Sequence, residues 1–236
     1  AGDGGAGTEE AVKPATFGCL GIAVCASAFG QVQMRTSGVV ELPAGIVELS
    51  EAIRVPVNAK GLVIRGAAAG TTLRARPDFK GKALLEISGA AGVTIENLAI
   101  DGNRKILGRA VDLPNFGTSF FDHYSLNGIA AERVDGLMIR NVKIFEVADY
   151  AVLIRRSARV VVEGIDVRNS GGVDTKGFNN ASGGVLFEDG TRVFSIRNSR
   201  FENVLGNGIW THSRADAPVN RDGLIEGNVL NEIGRD

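Results

Sequence analysis

The sequence predicts an all-β solenoid in which each coil contributes three short strands. The first observation is a repeat. Val93-Thr94-Ile95-Glu96-Asn97-Leu98-Ala99-Ile100 sets two strand-like triplets around a polar pair, and the pattern returns at 137–144, 160–167, 194–201 and, more weakly, 223–230. The second is the spacing. Anchored on Ile95, Ile139, Val162, Ile196 and Ile225, the intervals are 44, 23, 34 and 29 residues, a basic period of roughly 22 to 23 with insertions. The third is composition: 32 glycines with only 6% aromatic residues, as many tight corners between short strands require.

Residues 1–14 are Gly-rich and polar, and a disordered tail is expected there. Residues 15–37 hold an apolar run that includes both cysteines, Cys19 and Cys25. The run is too short for a membrane span. It reads either as an apolar helix capping the solenoid or as a signal-like segment, since Ala26-Ser27-Ala28 fits a small-x-small cleavage rule. No metal-ligand or redox spacing accompanies the cysteines. From 38 to 236 the chain reads as solenoid: an opening strand turning at Pro43-Ala44-Gly45, then strands over 46–49, 52–55, 62–64, 72–75 and 83–88. The last residues, 228–236, stop inside a third strand without a polar cap. Further coils, or a second copy of the chain, are therefore expected to cover that end.

Lys plus Arg total 26 against 27 for Asp plus Glu, a net charge of −1. Such a balance gives no field for nucleic acid or an anionic membrane.

Three strands per coil with a two-residue corner at Glu96-Asn97, Arg140-Asn141 and Arg197-Asn198 resembles the right-handed parallel β-helix of the pectin-lyase-like superfamily. Asn tolerates left-handed backbone geometry and its stacked amides can bond as a ladder. Gly164 and Gly227 hold the same position in two other copies, and Gly accepts positive φ. The resemblance implies a carbohydrate-active protein that is secreted or periplasmic and takes a polysaccharide along its first-strand face. No particular enzyme family's signature is present.

With Glu96-Asn97 as the corner between second and third strands, the first strands fall at 84–88, 128–132, 151–155, 184–188 and 208–212. Alternation points Leu85, Ile129, Val152, Val185 and Ile209 inward, with Ile87, Ala131, Ile154, Phe187 and Thr211 beside them. Outward lie two columns. One runs Glu86, Ala130, Leu153, Leu186, Trp210; the other runs Ser88, Glu132, Arg155, Glu188, His212. The second is a surface charge ladder or a catalytic row. The 44- and 34-residue intervals place insertions at about 101–127 and 171–182, both leading into a first strand, where they are expected to wall a groove. A third excursion is 214–221.

A lyase or uronate epimerase needs a cation for the substrate carboxylate and a base for the C5 proton. Arg155 with His212, or Lys176 from its loop, supplies both, with Glu188 alongside. Substrate contacts are expected from Trp210 by stacking, and from Glu132, Asp122, His123, Tyr124, Asn180 and Arg214. Glycoside hydrolysis by Glu132 and Glu188 is a third reading, disfavoured because Arg155 between them keeps both ionised. Asp174, Glu188 and Asp189 are the candidate ligands for calcium, whose preference is for oxygen. The alternative to an enzyme is a non-catalytic glycan-binding or structural repeat protein.

Overall fold

The computed structural model describes residues 1–2 and 32–234. Apart from Ala1 and Gly2, the tail and most of the apolar segment expected before residue 32 lie outside the described residues. Residues 32–37 are irregular, and Val32 and Met34 pack against the core.

Among the described residues every pairing between the sixteen strands is parallel, and consecutive strands pair with strands one coil away. The result is a parallel β-helix with three stacked faces. The first face comprises the closing residues of β2 (Gly45–Val55) and β4 (Thr71–Ser88), followed by β6 (Asn127–Glu132), β8 (Val152–Arg155), β11 (Val185–Glu188) and β14 (Ile209–His212). The second comprises β1 (Gly38–Leu42), β3 (Leu62–Gly66), the opening halves of β5 (Ala91–Asp101) and β7 (Asp135–Phe145), then β9 (Ala158–Glu163), β12 (Arg192–Arg197) and β15 (Arg221–Glu226). The third takes the opening halves of β2 and β4, the closing halves of β5 and β7, then β10 (Asp166–Ser170), β13 (Arg200–Val204) and β16 (Val229–Ile233).

The corner between second and third faces is built as its residues dictate. Asn97, Asn141 and Asn198 adopt φ of 55°, 53° and 50°, and Gly164 and Gly227 take 61° and 66° in the corresponding coils. Asn141 Nδ2 donates to Asn97 Oδ1 at 3.4 Å. A second ladder joins Asn203 to Asn169 at 2.8 Å. Inside, one apolar column per inward position forms a continuous core through Leu85, Ile129, Val152 and Val185, and through Ile87, Ala131, Ile154 and Phe187. Burial of each such side chain contributes about 1.5–3 kcal/mol, so the stack is held coil upon coil rather than by any single coil.

Candidate functional site

The first insertion contains two single-turn helices, α1 (Arg104–Leu107) and α2 (Phe120–His123). Only its stretch 113–118 walls a cleft, at the His212 end of the first face; its α2 end does not stand beside the face. It lies across that face. Phe120, Phe121 and Tyr124 pack with Tyr150, Ala181 and the outward residues Ala130, Leu153 and Leu186 into a second apolar cluster outside the barrel. The reason is visible in the column itself, since an outward row of Ala130, Leu153 and Leu186 would expose apolar surface unless something covered it. Leu153 and Leu186 are fully buried. The second insertion joins this cover: Val111 N donates to Val173 O at 2.8 Å, and Asp112 Oδ1 accepts from Thr175 N and Oγ1 at 2.9 and 2.7 Å.

The row Ser88, Glu132, Arg155, Glu188, His212 is the register of the structure, and its middle members clamp α2. Glu188 accepts from Phe120 N and Phe121 N at 2.6 and 2.9 Å, which satisfies free donors at the helix start. At the other end Lys82 Nζ donates to Phe121 O at 2.5 Å and Tyr124 O at 3.4 Å. Arg155 reaches Ser119 Oγ at 2.5 Å, Asp122 Oδ2 at 2.6 Å and Glu132 Oε1 at 2.9 Å. A second carboxylate, Asp149, accepts from Ser125 N at 3.0 Å just after α2. Burial pushes both acids up to about 7; at Glu188 the Phe121 and Phe120 amides only partly offset it, and at Asp149 Arg109 does so.

These contacts correct several expectations. Arg155 is only 8% exposed, and Glu132, 9% exposed, does not line the cleft at His212. Glu188 is fully enclosed. Tyr124 is buried against Tyr150, and Asn180 is buried with its amide bonded to Val111 O and its oxygen to Ser182. Asp122 pairs with Arg155 while staying 61% exposed, and His123 Nε2 bonds Asp112 O at 2.8 Å. Lys176 is exposed on the second insertion and is not part of the cleft below. Asp174 Oδ1 is occupied by its own turn, at Lys176 N and Phe178 N, and Asp189 by Arg214. Among the described residues no three His, Cys, Asp or Glu side chains converge to hold a metal ion.

At the His212 end of the first face a cleft of about 460 Å³ stays open between the insertion and the turn after β14, lined by Leu113, Asn115, Phe116, Thr118, Phe120 and His212 among others. His212 is partly exposed, with its ring 4.8 Å from that of Phe120 and its Nδ1 3.9 Å from Glu188 Oε1. Burial lowers its pKa, Asp189 opposes and Arg214 assists, so the imidazole is neutral at pH 7. Trp210 is partly buried, packed T-shaped against Phe120 at 4.9 Å and tilted against His212 at 5.1 Å. Arg214, on the cleft floor, grips Asp189 with Nε at 3.0 Å and the insertion at Gly117 O at 2.8 Å. The aromatic that sequence reasoning passed over is Phe116, 99% exposed at the lip. Its signal was an apolar ring in a loop of Pro, Asn, Gly and Thr, where no core demands it.

The chain matches the family model for a right handed beta helix region over residues 57–235, and it belongs to that family. Among solved structures it resembles a protein of Parabacteroides merdae ATCC 43184 described provisionally as a glycosyl hydrolase, at TM-score 0.58 and 16% identity, covering 82% of this chain and 83% of that one. It also resembles the pre-mature gene product 12 of bacteriophage phi29, at TM-score 0.52 and 16% identity, covering 81% of this chain. The chain corresponds to only 29% of that phage protein. At such identities the likeness establishes the fold. No curated protein matches. No helix among the described residues is long and apolar enough to cross a membrane.

Proposed function

We propose that this is a carbohydrate-related β-helix protein that binds glycan in the cleft between the first insertion and the turn at 213–216. The observation that carries the reading is Phe116. A fully exposed ring at the mouth of a cleft offers an apolar face to a pyranose, while Asn115, Thr118 and Ser213 supply hydrogen-bonding groups beside it. The likeness to the Parabacteroides protein is in keeping with this, though it speaks to fold. Phe116→Ala should leave stability unchanged, because the ring buries nothing, and should lower glycan affinity by roughly tenfold, since stacking contributes about 1–1.5 kcal/mol. The check is calorimetric titration with pectate, alginate and chondroitin sulfate. A wild-type protein that binds none of them, or a variant that binds as well as wild type, sinks the reading.

A second reading is favoured by His212. Its neutral imidazole lines the cleft, the form a base needs to take the C5 proton of a uronate during lyase or epimerase chemistry. Arg155 cannot be the partner cation, being buried under α2, and Arg214 is already held by Asp189. Absorbance of unsaturated uronate products on incubation with pectate or alginate separates eliminative cleavage from binding alone. Abolition of that signal by His212→Gln would assign the base.

A further inference from the structure

Building on the glycan reading, we propose that α2 is a stop across the first face, so that the cleft takes the end of a glycan chain and not its interior. A polymer following a β-helix face runs from row to row, at right angles to the strands, and each step is about 4.8 Å. From His212 the next rows are Glu188, Arg155 and Glu132, and beside them Leu186 and Leu153; all five are buried. The obstacle begins at once. The Phe120 ring lies 4.9 Å from Trp210 and 4.8 Å from His212, and its backbone N–H is bonded to Glu188 at 2.6 Å.

Beyond α2 the face reopens as a separate hollow of about 420 Å³ lined by Arg54, Lys82, Glu86, Phe121 and Glu132 among others. It shares no lining residue with the cleft at His212. A continuous chain could occupy both only by climbing over α2. That helix is fixed rather than draped: Glu188 holds its start, Lys82 its end and Arg155 its Ser119 cap, while Phe121 and Tyr124 are buried beneath it. The charge row of the coils thus serves to build the stop.

The test uses the unaltered protein. Tetragalacturonate and tetramannuronate are titrated beside polygalacturonate and polymannuronate of known mean length. If the cleft takes chain ends, binding capacity per gram falls from tetramer to polymer by the ratio of their lengths, and the protein bound per chain stays constant. Capacity per gram that is the same for tetramer and polymer would overturn the stop while leaving glycan binding intact. Absence of binding to all four would overturn the glycan reading itself, and the stop with it. Phe116→Ala should weaken the tetramer and the polymer by the same factor, whereas loss confined to the polymer would place internal contacts elsewhere and also contradict the stop.

Discussion

Replacing Arg155 by Ala removes the cation at the centre of the clamp. Glu132, 9% exposed, loses the guanidinium at 2.9 Å from its Oε1, and that buried atom has no hydrogen bond of its own. Removing one partner of a buried pair typically costs about 3–5 kcal/mol because an uncompensated charge remains. Two observations set the value at the low end. Glu132 keeps Arg133 at 2.8 Å on its other oxygen, and Asp122 is 61% exposed, so water screens its loss. The expected destabilisation is therefore about 3 kcal/mol, which for a chain of this length lowers Tm by roughly 6–12 °C. Urea and thermal unfolding measure it directly. Arg54→Ala is the matched control: its Glu86 partner is equally close in kind at 3.1 Å, but Arg54 is 58% exposed, so the loss should stay below about 1 kcal/mol. If Arg155→Ala costs no more than Arg54→Ala, the clamp is not what holds the insertion.

Stability should also depend on pH in an uncommon direction. Glu188 and Asp149 have folded pKa values pushed up to about 7 by burial, so between the ordinary carboxylate range and about 7 the folded protein holds protons that the unfolded chain has released. Stability is then greatest below that window and falls as pH rises through it. His212, lowered by burial, works in the opposite sense but is a single partly exposed group. The urea midpoint should be higher near pH 5.5 than near pH 8, and a midpoint that rises with pH over that span would contradict these assignments. At the corner, Gly164 has φ of 61° and an added Cβ would stand 2.9 Å from Asn141 Oδ1. Gly164→Ala should cost about 1–2 kcal/mol for its left-handed backbone, and equal stability in chemical unfolding would show that the corner relaxes.

The barrel was legible because its logic is local and repeated. The corner asparagines and the glycines at 164 and 227 fixed where faces meet, and once one corner was set, period-two alternation placed Leu85, Ile129 and Val152 inward and Glu132, Arg155 and Glu188 in one outward row, as they stand in the structure. The site was less legible because it depends on where a non-repeating loop lies down. The signal was nevertheless present. Ala130, Leu153 and Leu186 form an unbroken apolar run in one outward column, and Phe120, Phe121 and Tyr124 sit together in the insertion; two unpartnered apolar sets in one chain predict each other. Once they meet, charged residues beside them lose their solvent and must find partners, which is why Arg155 and Glu188 hold a helix instead of facing a sugar. Lys82 offered no such signal, since a lysine at a strand start is ordinary surface until a helix end is placed over it.

The claim on which the rest depends is that α2 is seated firmly on the first face. Amide hydrogen exchange at Phe120 and Phe121 in the unaltered protein tests it most directly, because both N–H groups are bonded to an enclosed carboxylate. Protection close to that of the core strands, and lost on Glu188→Ala, is the result predicted. Exchange as fast as in the exposed stretch at 115–117 would mean that the helix lifts freely, that the face beneath it is open, and that the account is wrong at its centre.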